Sequence, residues 1–598
     1  MIPYHAPSRD MQFVINELND LEEIAQLHEF ADHDIGPDLV NAVLEEAGKL
    51  AHGVLAPLNR DGDQNGATLG ENGVKAVRGF GEAYQQFIEG GWNGLVCPIE
   101  FGGQGLPELL NIATQEMWNS ANLAFALCPL LTAGAVEALR AHGSEEQKQR
   151  YLIKMISGEW TGTMNLTEPQ AGSDLSAVRT RAVPEDGYYR LYGQKIFITW
   201  GDHDMTENVV HLVLARTPDA PEGVKGISLF IVPKYVLDEH GKPAQRNDVH
   251  CVSLEHKLGI HASPTCVMAY GDKEGAIGYL VGEENKGLGY MFTMMNEARL
   301  KVGLQGLAIG ERAYQQARDF AKTRVQGRPV GVKTGERVTI IQHPDVRRML
   351  LTMKAQNEAM RALCYAVARN MDLARHHPKK ERRQQYQARI DLLIPVVKAW
   401  CTELGVEIAS LGVQVHGGMG FIEETGAAQH LRDARITPIY EGTTGIQAAD
   451  LVGRKIGADN GQVMAELIAE INALDEQLAA VDDAAIDAIR KPLRAGAKAL
   501  QEATDWVVRT LAEQPDVVLA ASVNYLMLTG YVCGGWQMAR AALIAQERLA
   551  TGDNSGFYNS KLITARFYAE QILPRAQALS YAVVAGAETP LALAEESF

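Results

Sequence analysis

The sequence predicts an α+β multidomain protein in which helical regions flank one β domain. A chain of 598 residues exceeds the size at which a single hydrophobic core keeps growing, so several domains are expected. Up to about residue 157, and again from about residue 287, apolar residues recur at three- and four-residue spacing. Between these regions the chain changes to short runs rich in β-branched and aromatic residues, separated by turn signals.

Residues 1–157 are predicted to form an N-terminal helical domain. Two of its stretches show the helical spacing most clearly, with breaks rich in Gly and Pro between them. They are VNAVLEEAGKLAHGVLAPL and ELLNIATQEMWNSANLAFALCPLLTAGAVEALRAHG.

Residues 158–284 are predicted to form a middle domain of antiparallel β-strands. The strand-like runs are YYRLYGQKIFITWG, NVVHLVLART, GISLFIVPKYV, VHCVSLE and TCVMAYG. Because turn signals lie between them, they read as neighbouring strands.

Residues 285–455 are predicted to form a helical bundle, and residues 456–598 an additional helical domain that begins near GADNG at 457–461. A third bundle helix is expected to start at Pro395, in PVVKAWCTELGVEIASLGVQVHG. The basic run RHHPKKERRQQYQAR at 375–389 is interpreted as a solvated connection between helices, with a docking patch for a partner as the alternative.

Composition and charge exclude several classes of protein. The net charge of −18 argues against nucleic-acid binding, which depends on clustered Lys and Arg. Seven scattered Cys without a CxxC pair indicate reduced thiols, with no disulfide framework and no metal site. The N-terminus lacks the layout of a signal peptide, and no run of about 20 apolar residues is expected to span a bilayer. The chain is therefore expected to be cytoplasmic, without a transmembrane segment.

Four short segments occur in a fixed order and carry the functional prediction: NLTEPQAGSD at 165–174, GQKIFITWG at 193–201, VQVHGGMGF at 413–421 and IYEGTTGIQ at 439–447. In the first, small and hydroxyl residues offer donors to a polar ring system or to phosphates, although such a loop alone is usually a turn. Together, over roughly residues 50–455, the segments resemble the acyl-CoA dehydrogenase flavoprotein family. The resemblance implies bound FAD, a β-barrel-like middle domain and a four-helix bundle after it.

Glu441 is the candidate catalytic residue. It is the single carboxylate in RITPIYEGTTGIQ, and this segment alone favours a surface or helix-capping Glu. Dehydrogenation of an acyl thioester needs a base for the α-proton, and a carboxylate serves near neutral pH if burial raises its pKa. The resemblance assigns this role to Glu441, with Tyr440 and Gly442 beside the substrate. Some relatives carry the base on the helix near Arg299, but the residue before Arg299 here is Ala298, which cannot act.

The resemblance also implies flavin contacts in the β domain. Leu166, through its backbone, and Thr167 would hydrogen-bond the isoalloxazine, and Thr199 would lie at its far side. Phe197 stands where many relatives have a Trp that covers the ring. Ser173 would contact the CoA arm.

Further cofactor contacts are implied in the helical bundle. Arg324 would reach the FAD diphosphate of a neighbouring subunit, since its guanidinium suits paired phosphate oxygens. His343 replaces the usual Gln of this region, and the linker after Arg324 is longer than usual. The remaining contacts implied are Gln414, Gly417, Gly418 and Thr443, whereas Gly445 lacks the side chain that many members offer. Arg299 is expected to order the catalytic loop, and its alternative is a surface helix residue.

Three functions remain in comparison. The first is an FAD-dependent acyl-CoA dehydrogenase that passes electrons to electron-transferring flavoprotein, and the second is an acyl-CoA oxidase. The third is a DNA-associated protein on this scaffold, which the 10 Lys/Arg against 18 Asp/Glu in residues 456–598 oppose. The expected substrate is a saturated fatty acyl-CoA, with 3-methylmercaptopropionyl-CoA as the alternative. The C-terminal domain is expected to cover a bundle face, which is then unavailable to a second dimer. The protein is therefore expected to be a homodimer.

Overall fold

The computed structural model describes residues 3–553 and 555–598. The residues before the β domain form helices, which confirms the prediction for this part of the chain. They are α1 (Ser8–Phe13), α2 (Leu21–Ala25), α3 (Pro37–Leu50), α4 (Ala56–Asn65), α5 (Phe80–Glu89), α6 (Glu108–Ala121), α7 (Leu123–His142), α8 (Glu145–Gln147) and α9 (Ile153–Ile156). π-Helical turns extend them at Val14–Leu18, Ala51–Leu55 and Lys148–Leu152.

The strands include the runs predicted from the sequence and several shorter ones. They are β1 (Thr68–Gly70), β2 (Gly73–Lys75), β3 (Trp160–Asn165), β4 (Arg181–Pro184), β5 (Tyr189–Thr199), β6 (Asn208–Ala215), β7 (Ser228–Pro233), β8 (Tyr235–Leu237), β9 (Pro243–Arg246), β10 (Val249–Leu254), β11 (Thr265–Tyr270) and β12 (Ala276–Leu280).

The second half of the chain is helical, as predicted. The helices are α10 (Gly287–Thr323), α11 (Pro344–His376), α12 (Lys380–His416), α13 (Ala427–Ala434), α14 (Thr444–Asp450), α15 (Gly457–Asp459), α16 (Gln462–Ala479), α17 (Ala484–Thr510), α18 (Pro515–Ala550), α19 (Phe557–Phe567) and α20 (Arg575–Gly586). Further π-helical turns lie at Leu451–Ile456 and Tyr568–Ile572.

The chain divides into two compact units. Unit 1 contains the residues up to Glu46, the segment Pro107–Glu116 and the residues Val302–Phe598. Unit 2 contains Ala47–Leu106 and Met117–Lys301, and therefore the whole β domain.

The main sheet of unit 2 has the strand order β10-β11-β5-β12-β7-β6-β3, with β4 also on β5. Its pairs are antiparallel, as predicted, except that β3 pairs with β6 in parallel. The sheet does not close, so the barrel-like expectation is corrected to an open sheet. The edge strands β10 and β3 are covered by the β1–β2 hairpin and by α7, and an edge covered in this way does not require closure.

Both faces of strand β6, which lies between β7 and β3, are buried. Val210, Leu212 and Leu214 pack in one hydrophobic cluster with residues of α7. The neighbouring Val213 and Ala215 point to the other face and pack in a second cluster. Because side chains alternate along a strand, a strand buried on both sides reads as a continuous apolar run, as β6 does.

In unit 1 the C-terminal helix α18 packs against α11 and α12 of the bundle. Close approach depends on glycine, because a Cβ on Gly530 would lie 2.2 Å from Cγ of the buried Trp400. The rings of Trp400 and Tyr531 meet edge to face at 6.0 Å. The C-terminal domain therefore covers one face of the bundle in the same chain.

Two expectations are corrected by the helix bounds. The third bundle helix, α12, begins at Lys380, and Pro395 lies inside it. Most of the basic run 375–389 is consequently the end of α11 and the start of α12, and only 377–379 connect them.

By length and composition, α7 and α18 are apolar enough to cross a membrane, although 83% and 67% of their apolar windows are buried inside the protein. Such burial is typical of core helices.

Candidate active site

Glu441 lies in a tight turn of unit 1 between α13 and α14. Its backbone is left-handed, with φ of +57°, and Gly442 follows with φ of +88°. A residue other than glycine seldom adopts a positive φ, and such strain is concentrated at functional sites. The Gln447 amide donates to the carbonyl oxygens of Glu441 at 3.4 Å and of Gly442 at 3.1 Å. A Cβ on Gly442 would lie 2.4 Å from Nε2 of Gln447, so the turn requires glycine there.

Helix α12 holds both sides of this turn. The ammonium of Lys398, which is fully buried, donates to the Thr437 carbonyl oxygen at 3.0 Å. The Thr444 hydroxyl donates to the Glu403 carboxylate at 2.6 Å. Buried polar groups require such partners, and each one here fixes a residue of the turn. Sequence reasoning missed Lys398 and Glu403, since nothing in a helical pattern reveals which distant loop a polar residue contacts.

Tyr440, directly before Glu441, is half-buried, and its phenol donates a hydrogen bond to Oε1 of Gln305 on α10. Gln305 has no exposed surface. Burial raises the pKa of Tyr440 well above its ordinary value, and the negative charge of Glu441 raises it further. The phenol is therefore neutral and keeps its single proton. Gln305 was also missed from the sequence, because it lies 135 residues away.

The loop 165–174 of unit 2 is organised by a buried acid, Glu168. Its carboxylate lies 2.8 Å from the ammonium of Lys195 on β5, and it accepts hydrogen bonds from the Thr180 hydroxyl at 2.6 Å and the Arg179 N–H at 2.8 Å. Burial lowers the pKa of Lys195 to about 8, while the Glu168 charge opposes that change. The Lys195 ammonium also donates to the Leu166 carbonyl oxygen at 2.9 Å.

The predicted flavin contacts Leu166, Thr167, Phe197 and Thr199 are brought together in unit 2. The N–H of Ile196 donates to the Thr167 carbonyl oxygen at 2.9 Å, and the Thr163 hydroxyl donates to the Thr199 carbonyl oxygen at 2.7 Å. The first of these hydrogen bonds joins the segment 165–174 to the segment 193–201.

A β-bulge displays Phe197. The pairing of β11 with β5 shifts register between Cys266 and Met268, opposite Phe197. Phe197 has φ of +59° and its side chain is 58% exposed. Bulges re-aim side chains beside functional sites. Hydroxyl donors, backbone groups and an exposed aromatic ring form a set that suits one face of a flavin.

The predicted dinucleotide contacts of unit 1 lie at the C-terminal end of α12 and beyond. Gln414, Gly417 and Gly418 are exposed, and Gly417 has φ of +61°. A Cβ on either glycine would meet nothing within 4 Å, so the main chain is open to close approach by phosphates. Thr443, which precedes α14, is also exposed.

Arg324 and His343 lie at the two ends of the linker between α10 and α11. Arg324 is exposed, and its carbonyl oxygen accepts the Ile340 N–H at 2.8 Å. Nε2 of His343 lies 2.7 Å from the Gln326 carbonyl oxygen, so its proton is on Nε2 and the ring holds its own linker. His343 is therefore engaged within the linker, whereas the Arg324 side chain points to solvent.

Ser173 and Arg299, the other predicted site residues of unit 2, differ in exposure. Ser173 is exposed, at the start of a short turn in which Asp174 accepts the Ser176 N–H at 2.9 Å. Arg299 is only 5% exposed, and its guanidinium donates to the Asn296 side chain at 3.4 Å. The alternative interpretation of Arg299 as a surface helix residue is therefore wrong.

Family models match almost the whole chain. Residues 40–159, 163–272 and 285–456 match the N-terminal, middle and C-terminal domains of acyl-CoA dehydrogenase. Residues 465–594 match a model described as acetyl-CoA dehydrogenase C-terminal like.

Full-length relatives have similar sequences or folds. The chain is 51% identical to 3-methylmercaptopropionyl-CoA dehydrogenase of Ruegeria pomeroyi, over 95% of this chain and 96% of that protein. It is 36% identical to the broad-specificity linear acyl-CoA dehydrogenase FadE5 of Mycobacterium tuberculosis, over 96% of each chain. A solved acyl-CoA dehydrogenase from Bacillus anthracis, complexed with FAD, shares the fold with a TM-score of 0.73 at 21% identity, over 96% of this chain and 91% of that one.

Proposed function

From the premise that this chain belongs to the acyl-CoA dehydrogenase family of FAD-dependent oxidoreductases, we propose that Glu441 removes the α-proton of a saturated acyl-CoA. The product is the trans-2-enoyl thioester. The observation that carries the proposal is the turn around Glu441, in which left-handed backbone and the Gln447 amide fix one carboxylate between Tyr440 and Gly442. A solvent-exposed or capping Glu does not require such a braced and strained turn.

The chain's own groups account for the proton transfer and for carbonyl polarisation. Glu441 takes the proton from Cα, while negative charge develops on the thioester oxygen. The backbone N–H of Glu441 is proposed to donate to that oxygen, as a preorganised donor lowers the barrier to enolate formation. FAD, when bound, supplies the acceptor for the hydride that leaves Cβ. Tyr440 and Gly442 hold the substrate beside the base.

The cofactor contacts are proposed as two sets, one in each unit. In unit 2, Leu166, Thr167, Phe197 and Thr199 offer the donors and the aromatic wall for the isoalloxazine, and Ser173 contacts the CoA arm. In unit 1, the dinucleotide contacts are Gln414, Gly417, Gly418, Thr443, Arg324 and His343.

Glu441→Gln tests the base. The amide is close in size but cannot take a proton, so turnover should fall by at least about 10²- to 10⁴-fold, the usual contribution of a general base. Bound yellow FAD should remain, and Glu424→Gln, at an exposed Glu before α13, is the matched control. Turnover by Glu441→Gln at a tenth of the wild-type rate would remove Glu441 from this role.

The proposed substrate is a saturated acyl-CoA of β-oxidation, and a second candidate is 3-methylmercaptopropionyl-CoA. The second is favoured by the 51% identity to the Ruegeria pomeroyi dehydrogenase over nearly the full chain. The first is supported by the 36% identity to FadE5, whose name describes broad specificity for linear acyl chains. Dye reduction with butyryl-, octanoyl-, palmitoyl- and 3-methylmercaptopropionyl-CoA, compared by kcat/KM, separates them.

We further propose that electron-transferring flavoprotein takes the electrons and that the enzyme is a cytoplasmic homodimer. An oxidase would instead consume dioxygen with each turnover. Oxygen consumption measured beside reduction of electron-transferring flavoprotein discriminates the two, because an oxidase reoxidises its flavin without the partner protein.

A further inference from the structure

Gln305 is a residue of the bundle to which neither the motifs nor the family resemblance gives a role. We propose that Gln305 is a positioning residue for the catalytic base: by accepting the Tyr440 hydrogen bond, it keeps the phenol proton away from the Glu441 carboxylate. The inference rests on the proposed role of Glu441 as the base. It concerns the residue that sets the strength of that base.

The contact is well defined in unit 1. Gln305 lies on α10 with no exposed surface, and its Oε1 accepts the Tyr440 O–H. A tyrosine hydroxyl has a single proton to donate, so the proton that goes to Gln305 goes to no other acceptor. The side chains of Gln305 and Tyr440 therefore fix the direction of that proton.

The alternative acceptor for this proton is next in the chain. Glu441 follows Tyr440 directly in the chain, and its negative charge contributes to the raised pKa of Tyr440. A phenol that donated to the carboxylate would form a charge-assisted hydrogen bond. Such a bond stabilises the ionised carboxylate and makes it a weaker base. Holding the phenol proton on Gln305 avoids that loss.

The other charged groups around the turn have contacts of their own. On α12, Lys398 donates to the Thr437 carbonyl oxygen and Glu403 accepts from the Thr444 hydroxyl. On α13, Asp433 accepts from the Gln429 amide at 3.3 Å, and it adds a small contribution to the raised pKa of Tyr440. Apart from the contribution of Asp433 to the pKa of Tyr440, these contacts are made with residues other than Gln305 and Tyr440.

The test is a double-mutant cycle of Gln305→Met and Tyr440→Phe. Methionine keeps the length and packing of Gln305 but removes the acceptor. In Gln305→Met, the acidic limb of the pH profile of kcat, which reports the proposed base Glu441, should move down. Its apparent pKa should fall by about 1 to 2 pH units, as expected when a carboxylate gains a hydrogen bond. Plateau kcat should fall roughly threefold to tenfold, because a weaker base transfers the proton more slowly.

The double variant Gln305→Met/Tyr440→Phe has no phenol proton to redirect. Its acidic limb should coincide with that of Tyr440→Phe alone, so that the effect of Gln305→Met disappears in the Tyr440→Phe background. If Gln305→Met shifts the limb equally in both backgrounds, or shifts it in neither, the inference is overturned. Gln305→Glu restores an acceptor for the Tyr440 hydrogen bond. At high pH the introduced carboxyl is ionised and has no proton to donate to Glu441, so the apparent pKa of the acidic limb should return towards the wild-type value.

The base assignment is tested separately from this inference. If Glu441→Gln retains turnover, the proposed base is wrong and the inference falls with it. If Glu441→Gln is inactive with FAD bound while Gln305→Met has the wild-type limb, the base stands and only the role of Gln305 is lost. Flavin content and thermal unfolding of each variant identify a loss of fold.

Discussion

The ammonium of Lys195 lies 2.8 Å from the Glu168 carboxylate, and the exposed fractions of these side chains are 0% and 3%. Removal of one partner of a buried ion pair leaves an uncompensated charge, which costs about 3–5 kcal/mol. Lys195→Met should therefore lower the free energy of unfolding by that amount, measured by urea denaturation. Because Glu168 also holds the loop 165–174, the ratio of bound flavin to protein should fall.

Lys286→Met is the matched control for Lys195→Met. Lys286 pairs with Glu283 at the same distance, 2.8 Å, but the two side chains are 57% and 70% exposed. Exposed pairs contribute about 0–1 kcal/mol, so this variant should unfold almost as the wild type does. Equal losses in both variants would show that burial of the Glu168–Lys195 pair is unimportant.

Gly442→Ala should inactivate the enzyme with little effect on the rest of the fold. The backbone there has φ of +88°, and the added Cβ would lie 2.4 Å from Nε2 of Gln447. Strain of this kind costs about 1–3 kcal/mol, and misplacement of the proposed base, Glu441, by about 1 Å can cost roughly 100-fold in rate. Gly445→Ala, three residues on in α14, adds a Cβ that meets nothing within 4 Å. It should keep its activity, and a similar loss in both variants would contradict the argument.

The sequence was sufficient to predict the order of helical and β regions and the turn that contains Glu441. Periodicity identifies long amphipathic helices such as α11, and one acid among uncharged residues marks Glu441. The sequence was insufficient to predict β3. Five of the six residues of WTGTMN are buried, so this strand shows no alternation of apolar and polar residues. The parallel pairing of β3 with β6 depends on a crossover that local pattern does not encode.

Long-range polar contacts were equally beyond the sequence. Gln305, Lys398 and Glu403 are ordinary polar residues of long helices until the fold places them against the turn around Glu441. In the basic run at 375–389 the charge density predicts a solvated connection, whereas most of the run is helical. Its Arg389 lies on α12 and pairs with Glu470 of α16 at 2.9 Å. Charge density alone does not distinguish a helix surface from a loop.

Asp372→Asn should flatten the dependence of stability on pH. Burial raises the pKa of Asp372 to about 7, although its carboxylate accepts the N–H groups of Glu108 and Leu109 at the start of α6. Between about pH 4 and 7 the folded protein therefore holds a proton that the unfolded chain has lost. This contribution to stability is complete below about pH 4 and is lost as the pH rises through 7, by up to about 1.4 kcal/mol per pH unit.

Urea unfolding of wild type and Asp372→Asn at pH 5, 6, 7 and 8 measures this difference. The stability of the wild type relative to the variant should decline from pH 5 to 7 and then level off. Asp516→Asn, at an exposed Asp in the first turn of α18, is the matched control and should show a constant difference from the wild type. A constant difference for Asp372→Asn as well would contradict the raised pKa.

We propose that the 598-residue chain forms a dimer, on the premise that a second dimer would dock on the bundle face that α18 covers. This helix packs on α11 and α12, and Gly530 allows it to approach Trp400 closely. Light scattering should give a mass near twice 65.2 kDa, and a stable tetramer would rule the proposal out.

Gly530→Ala would place a Cβ 2.2 Å from Trp400, whereas a Cβ on Gly586 meets nothing within 4 Å. Overpacking of this kind costs about 1–3 kcal/mol, so Gly530→Ala should loosen α18 and favour further association, and Gly586→Ala should remain dimeric.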